Sequence, residues 1–136
     1  MKITVETTRQ AEVASFLSKK IVEFNHQHWT VTKQPLALTY RDQQGQILAG
    51  VSGVTFGHWL HIERLWVADS LRGKGIGQQL LVAIEEQAKQ RQCQFAFVDT
   101  LDFQAKPLYQ KNGYQVQCTQ HDYPLAGKRY YLSKTL

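Results

Sequence analysis

The sequence predicts a mixed α/β domain, and three observations carry that prediction. Alternating apolar residues in two neighbouring runs, Leu36–Arg41 and Ile47–Phe56, read as the strands of a hairpin. A strand–helix–strand–helix succession follows between Trp59 and Asn112, with more strands after it. No repeat, low-complexity tract or Gly/Ser linker divides the 136 residues, so residues 1–136 are expected to form one domain. The expected order along the chain is β-α-β-β-β-α-β-α-β-β.

Ile3 to Val5 reads as a short first strand. Thr7-x-x-Gln10 is a capping-box pattern, and Val13, Leu17, Ile21 and Phe24 follow at helical spacing, which predicts an amphipathic helix over 8–24. Residues 25–35 show no period and read as a loop. Asp42–Gln46, with Gly45, joins the two hairpin strands. Trp59–Ala68 reads as a further strand, but its alternation changes partway. Leu60 and Ile62 share one parity, Leu65 and Val67 the other. Either both faces are buried, or one extra residue bulges near Glu63–Arg64. Leu80, Leu81, Ile84 and Ala88 mark a helix over 77–91, and Gln94–Asp99 a strand. Phe103–Asn112 reads as a short helix closed by Gly113, and Pro107 implies that it starts late or bends. Tyr114–Gln120 and Lys128–Ser133 are the last strands.

Sixteen Lys and Arg against eleven Asp and Glu leave a net charge of +5. Such a balance suits an anionic partner, a nucleic acid or a phosphorylated cofactor. The basic residues are dispersed and no run of five occurs, which weighs against nucleic acid. No apolar stretch has the length of a signal peptide or membrane span, so a cytoplasmic protein is expected. Cys93 and Cys118 fall in apparent strands, where free cysteines behave as small buried hydrophobes.

The most informative stretch is LRGKGIGQQLL, residues 71–81. Three glycines stand where a strand turns into a helix. Interior glycine weakens a helix by roughly 0.8–1 kcal/mol, so their placement points to the turn. The first amides of a helix lack helical acceptors, and the helix dipole is positive at that end. Glycine lets such a backbone approach a ligand closely. With Arg72 and Lys74 beside it, the segment reads as a phosphate cradle. Two common phosphate patterns fail. Lys74 precedes Gly75, so the G-x-x-x-x-G-K-[ST] loop is absent. Gln78 and Leu80 stand where the two registers of G-x-G-x-x-G require glycine.

Arg72-Gly73-Lys74-Gly75-Ile76-Gly77 does resemble the [QR]-x-x-G-x-[GA] segment of the GNAT superfamily of acetyl-CoA-dependent N-acetyltransferases. The resemblance continues through Asp102-Phe103-Gln104-Ala105 to Tyr109-Gln110-Lys111-Asn112-Gly113-Tyr114, which is like that family's N-x-x-A-x-x-x-Y-x-K-x-G-[FY] ending. It implies a GNAT-like, mostly antiparallel sheet in which a splayed parallel strand pair makes a slot for acetyl-CoA. No metal is implied. The backbone of Arg72, Gly73, Lys74, Gly75, Ile76 and Gly77 would hold the pyrophosphate. The pantetheine arm would run along Leu65, Trp66 and Val67, with an amide near Val67 for the oxyanion. Asp102 and Ala105 would also meet the cofactor. Asp102 departs from the usual asparagine, and an ionised carboxylate accepts hydrogen bonds but donates none. A second role open to Asp102 is capping the helix that follows.

Acetyl transfer from a thioester to an amine needs a base for the amine, a donor for the oxyanion and an acid for the thiolate. Tyr109 matches the family tyrosine near the cofactor sulfur, and its phenol stays protonated at neutral pH. Glu63 is the candidate base: an acid amid apolar strand residues, where burial would raise its pKa. Its other reading is an ion pair with Arg64. His61 is the substitute. His26-Gln27-His28 lacks a third ligand at useful spacing, and reads as solvated loop rather than metal site. Trp29, Tyr40 and Tyr123 offer cation–π surfaces for an acceptor, or core packing. The expected activity is transfer of an acetyl group to a primary amine of a small molecule or protein. The rival is a non-catalytic acyl-CoA sensor of the same fold. The last hairpin, with Tyr130 and Tyr131, would serve a homodimer.

Overall fold

A computed structural model describes all residues, 1–136. The chain divides into two compact units, Met1–Thr32 and Lys33–Leu136. The first holds one helix, α1 (Gln10–Asn25). Residues 3–5 form no strand, a correction to the expected order, since no other strand pairs with them. The Thr7 capping box is also unused. The N-cap is Arg9, without a side-chain bond to the backbone, and its guanidinium pairs with Glu12 across the first turn at 2.6 Å. Helix α1 buries none of its residues.

The second unit is built on a six-stranded sheet in the order β1-β2-β3-β4-β6-β5. Its strands are β1 (Gln34–Arg41), β2 (Ile47–Phe56), β3 (Trp59–Val67), β4 (Phe95–Leu101), β5 (Gln115–His121) and β6 (Lys128–Thr135). Helices α2 (Ile76–Gln90) and α3 (Lys106–Lys111) complete it. The fold is mixed α and β. Every neighbouring strand pair is antiparallel except β3 with β4, which is parallel. The β1–β2 turn closes because Asp42 Oδ1 accepts from the amides of Gln44 and Gln46, both at 2.9 Å.

The parity change in β3 is resolved as a bulge. Ser52 of β2 faces Arg64 while Gly53 faces Ile62, so Glu63 is the extra residue. The insertion returns Leu65 and Val67 to the face of Leu60 and Ile62, where they pack against the core. That core joins Leu60, Ile62, Ala96, Val98 and Leu132 of the sheet to Leu80, Leu81, Ile84 and Ala88 of α2. Burying each of the Leu, Ile and Val side chains among them contributes roughly 1.5–3 kcal/mol. A buried polar clamp sits within it. Glu85 of α2, 5% exposed, accepts from Tyr114 Oη at 2.7 Å and from Lys134 Nζ at 2.9 Å. Burial, then the hydrogen bond to Glu85, holds the Tyr114 phenol far above its ordinary pKa.

Pro107 lies in the first turn of α3, so this helix starts late, at Lys106, as the proline requires. Of the cysteines, Cys93 is buried as expected, just before β4. Cys118 is exposed in β5, so the expectation of burial is corrected there; β5 is an edge strand. No helix is long and apolar enough to cross a membrane.

Candidate active site

The site begins where two parallel strands separate. Strands β3 and β4 pair from Trp59↔Phe95 to Ile62↔Val98 and no further. The next residues are Glu63, the bulge, and Asp99. Beyond them β4 keeps its antiparallel partner β6, with Asp99 facing Tyr131. Strand β3 keeps β2, with Leu65 facing Val51. The edges that face each other across the fork have no strand partner, although side chains reach the Val67 carbonyl and the Leu101 amide, and an extended chain can add there by backbone hydrogen bonds. On the other side of the bulge Gly53 allows the close approach. A Cβ on it would lie 2.2 Å from the His61 carbonyl oxygen.

A single 3-10 turn, Asp69–Leu71, and the glycine segment lead from β3 into α2. Gly75 is the N-cap, with φ 78° and ψ 9°, a left-handed conformation that glycine adopts at no steric cost. The first helical bond runs from Gln79 N to Gly75 O, so the amides before Gln79 have no helical acceptor. No side chain caps them. Gly77 packs the helix start onto the fork, since a Cβ there would meet Leu108 and Val67 at ordinary contact distance. Arg72 donates to the Val67 carbonyl at 3.2 Å and pairs with Asp69 at 3.2 Å.

Between these parts lies a cavity of about 640 Å³. Strand β3 lines it from Glu63 to Val67, β4 through Val98, Asp99 and Thr100, and the helix start through Arg72 and Gly77. Ala105, Leu108 and Tyr109 close it from the side of α3. The predicted residues Glu63, Leu65, Trp66, Val67, Arg72, Gly77, Ala105 and Tyr109 therefore converge on one cleft. Gly73, Lys74, Gly75 and Ile76 form the turn at its end and are not in its walls. Asp102 is also outside the lining. Its Oδ2 accepts from the Lys128 amide at 3.2 Å, fastening the start of β6. The N-cap of α3 is Ala105, so Asp102 does not cap that helix.

Tyr109 is 4% exposed, and its phenol is pushed up to about 12, first by burial and then by the charge of Asp99. The phenol therefore stays protonated, as a donor to a leaving thiolate requires. Glu63 lines the cleft but is exposed, because the bulge turns it outward. The burial that made it the favoured base is absent, a correction to the sequence reading. Arg64 Nη1 stands 4.0 Å from its Oε2, at the limit of ion pairing.

The site also contains a group that sequence reasoning missed. Asp99 Oδ2 accepts from Arg129 Nε at 3.0 Å and Nη2 at 2.8 Å. Arg129 Nη1 donates to Tyr123 Oη at 3.3 Å, which brings Tyr123 into this network. His61 Nε2 lies 3.6 Å from Asp99 Oδ1. A signal for Asp99 was present: it is an acid ending the apolar run FAFV, the same kind of position that singled out Glu63.

An extended-chain slot between diverging parallel strands, continued by an uncapped helix start, suits a long ligand that carries a phosphate at one end. The chain belongs to the acetyltransferase (GNAT) family, whose model matches residues 5–114. Members of this family use acetyl-CoA. An acetyltransferase of Agrobacterium fabrum is 29% identical over 115 residues, 84% of each chain. Blasticidin-S acetyltransferase of Streptomyces morookaense is 36% identical over 83 residues, 60% of this chain and 61% of that protein. The crystal structure of an acetyltransferase from Bacillus cereus matches with a TM-score of 0.88 at 30% identity, over 100% of this chain and 98% of that one.

Proposed function

We propose that this acetyltransferase binds acetyl-CoA in the fork and moves its acetyl group directly to a primary amine. The pyrophosphate lies on the amides of residues 72–77, and the pantetheine arm pairs with the free edge of β3 at Leu65–Val67. Ala105 flanks that arm. Asp102 supports the loop that carries it, because its carboxylate is committed to Lys128. The Val67 region supplies the amide for the oxyanion. The observation that carries this reading is the end of β3–β4 pairing at Ile62↔Val98, at the Glu63 bulge, beside the uncapped start of α2.

The amine enters between Glu63 and Asp99, where the carboxylate oxygens that no arginine holds can accept from an ammonium. One ammonium proton passes to a carboxylate, and the freed lone pair forms the N–C bond. The C–S bond then breaks, Tyr109 protonates the thiolate, and the second nitrogen proton returns to Tyr109. The products are an amide and free coenzyme A. A cationic small molecule fits this entrance, and blasticidin S is a natural first acceptor to try, given the relative that acetylates it. An acceptor library scored by release of free thiol tests the proposal. Thiol release with one class of primary amines supports it. Absence of release with every amine, from protein that binds acetyl-CoA, counts against it.

A further inference from the structure

His61 carries a buried nitrogen, Nε2, with no hydrogen-bond partner. Such an atom costs stability, because it gave up water and received nothing in return. The ring is held in place. It stacks on Phe97 at 4.6 Å between centroids, and Phe97 stacks on Tyr131 at 6.1 Å. The nearest charged atom is Asp99 Oδ1 at 3.6 Å, beyond hydrogen-bond length. Arg129 occupies the other carboxylate oxygen twice. Asp99 thus lines the cleft with one oxygen committed, and its second lies 3.6 Å from an unsatisfied imidazole nitrogen.

We infer that Asp99 and His61 form the proton sink of the reaction, an inference that rests on the acetyl-transfer reading above. Asp99 Oδ1 takes the proton of the acceptor ammonium and passes it to His61 Nε2. The N–H bond of the ammonium breaks as an O–H bond forms. That O–H then breaks as the imidazole gains N–H, leaving carboxylate and imidazolium. With the neutral ring's proton on Nδ1, the arriving proton supplies the donor that Asp99 Oδ1 and Nε2 lack at rest, and the two close into a charge-assisted bond. The site is therefore least satisfied before the proton arrives and best satisfied after the amine has become a nucleophile. Arg129 holds Asp99 in register throughout and is a positioning residue.

The charged groups around His61 are few. Asp99 faces it from β4, with Arg129 of β6 behind. Glu63 lies two residues along β3, with Arg64 beside it. From β2 the residue opposite is Val54, which carries no charge. Glu63 then has the simpler task of holding the cationic acceptor at the entrance.

Steady-state kinetics of H61Q, D99N, E63Q and H61Q/D99N test the relay, with acetyl-CoA and an amine from the thiol-release screen. General-base groups contribute about 10²–10⁴-fold. H61Q is expected to lower kcat at least about tenfold, with KM for acetyl-CoA unchanged and the acid-side fall in kcat displaced. The double variant should be no slower than D99N alone, because both members serve one transfer. E63Q should act mainly on KM for the amine. His61→Asn, with the melting temperature of each variant, separates loss of the relay from loss of fold. Wild-type kcat and pH profile in H61Q, or single effects that multiply in the double variant, overturn the relay alone. Wild-type protein that binds acetyl-CoA and acetylates no amine overturns both readings.

Discussion

Replacing Gly53 by alanine puts the fork itself under test. The added Cβ would sit 2.2 Å from the His61 carbonyl oxygen, 3.1 Å from its carbon and 3.2 Å from Ile62 Cα. All three are backbone atoms of the strand that bulges, so no side chain can swing away. Ordinary contact begins near 3.4 Å, and β2 and β3 must part by roughly an ångström. Overpacking of this kind costs about 1–3 kcal/mol, and rigid backbone neighbours place Gly53→Ala toward the upper end. For a chain of this size a kilocalorie corresponds to about 3–4 °C, so the melting temperature should fall by about 6–12 °C. The same displacement moves Glu63 and the free edge of β3. The stabilisation that acetyl-CoA confers on the folded protein should therefore shrink as well. Thermal melts with and without acetyl-CoA read both effects. Gly50→Ala is the milder comparison, because its nearest atom is the Leu38 carbonyl oxygen at 3.1 Å. A Gly53→Ala protein that melts like wild type and responds equally to acetyl-CoA would show that this close approach does not hold the bulge.

Tyr109→Phe should keep acetyl-CoA affinity and lose kcat by about 10²-fold, the scale of a general acid; equal turnover would remove that role. The same phenol predicts an alkaline effect. Its folded value of about 12 lies above the unfolded value near 10, so the fold favours the neutral form. That contribution is whole below pH 10 and is lost as the pH rises through 12, by up to about 3 kcal/mol. Urea unfolding of Tyr109→Phe between pH 9 and 12 should therefore fall less steeply than wild type, and parallel curves would contradict this. Gly75→Ala meets nothing within 4 Å, so its cost is the left-handed backbone alone, about 1–2 kcal/mol. Gly75→Glu adds a negative charge at the cradle and should also abolish the thermal shift caused by acetyl-CoA; a wild-type shift would place the pyrophosphate elsewhere.

Local periodicity made most of the fold legible. Helix α2 and the hairpin strands are found within about two residues of their expected ends, because their apolar patterns repeat over several turns or pleats. The segment at Ile3–Val5 was less legible. Three residues of strand-like composition say nothing about whether a neighbouring edge will pair, and none does. The turn into α2 could be read because its signal is local: glycines, cations and a helix start lie within six residues. Asp99, Arg129 and Tyr123 assemble from β4, β6 and the turn before it, and no spacing along the chain announces such a meeting. Glu63 shows the reverse failure. Its neighbours are apolar, which suggested burial, but the same bulge that places Glu63 at the fork also turns it to solvent.

That bulge links the fold to the chemistry. A strict two-residue alternation through β3 would put Leu65 and Val67 on the face opposite Leu60 and Ile62, away from α2. One inserted residue returns them to the core, and β3 stays anchored there while it bends. Strand β4 has no insertion and keeps an unbroken register with β6. Two strands that leave a common pairing in different directions must expose their facing edges. Those unpaired groups would be a liability on an outer edge of the sheet. Here the core fixes both strands, and the opening lies between Tyr109 and the start of α2. The gap is therefore a stable feature of the fold before any ligand arrives, and the cost of organising it falls on folding rather than on binding.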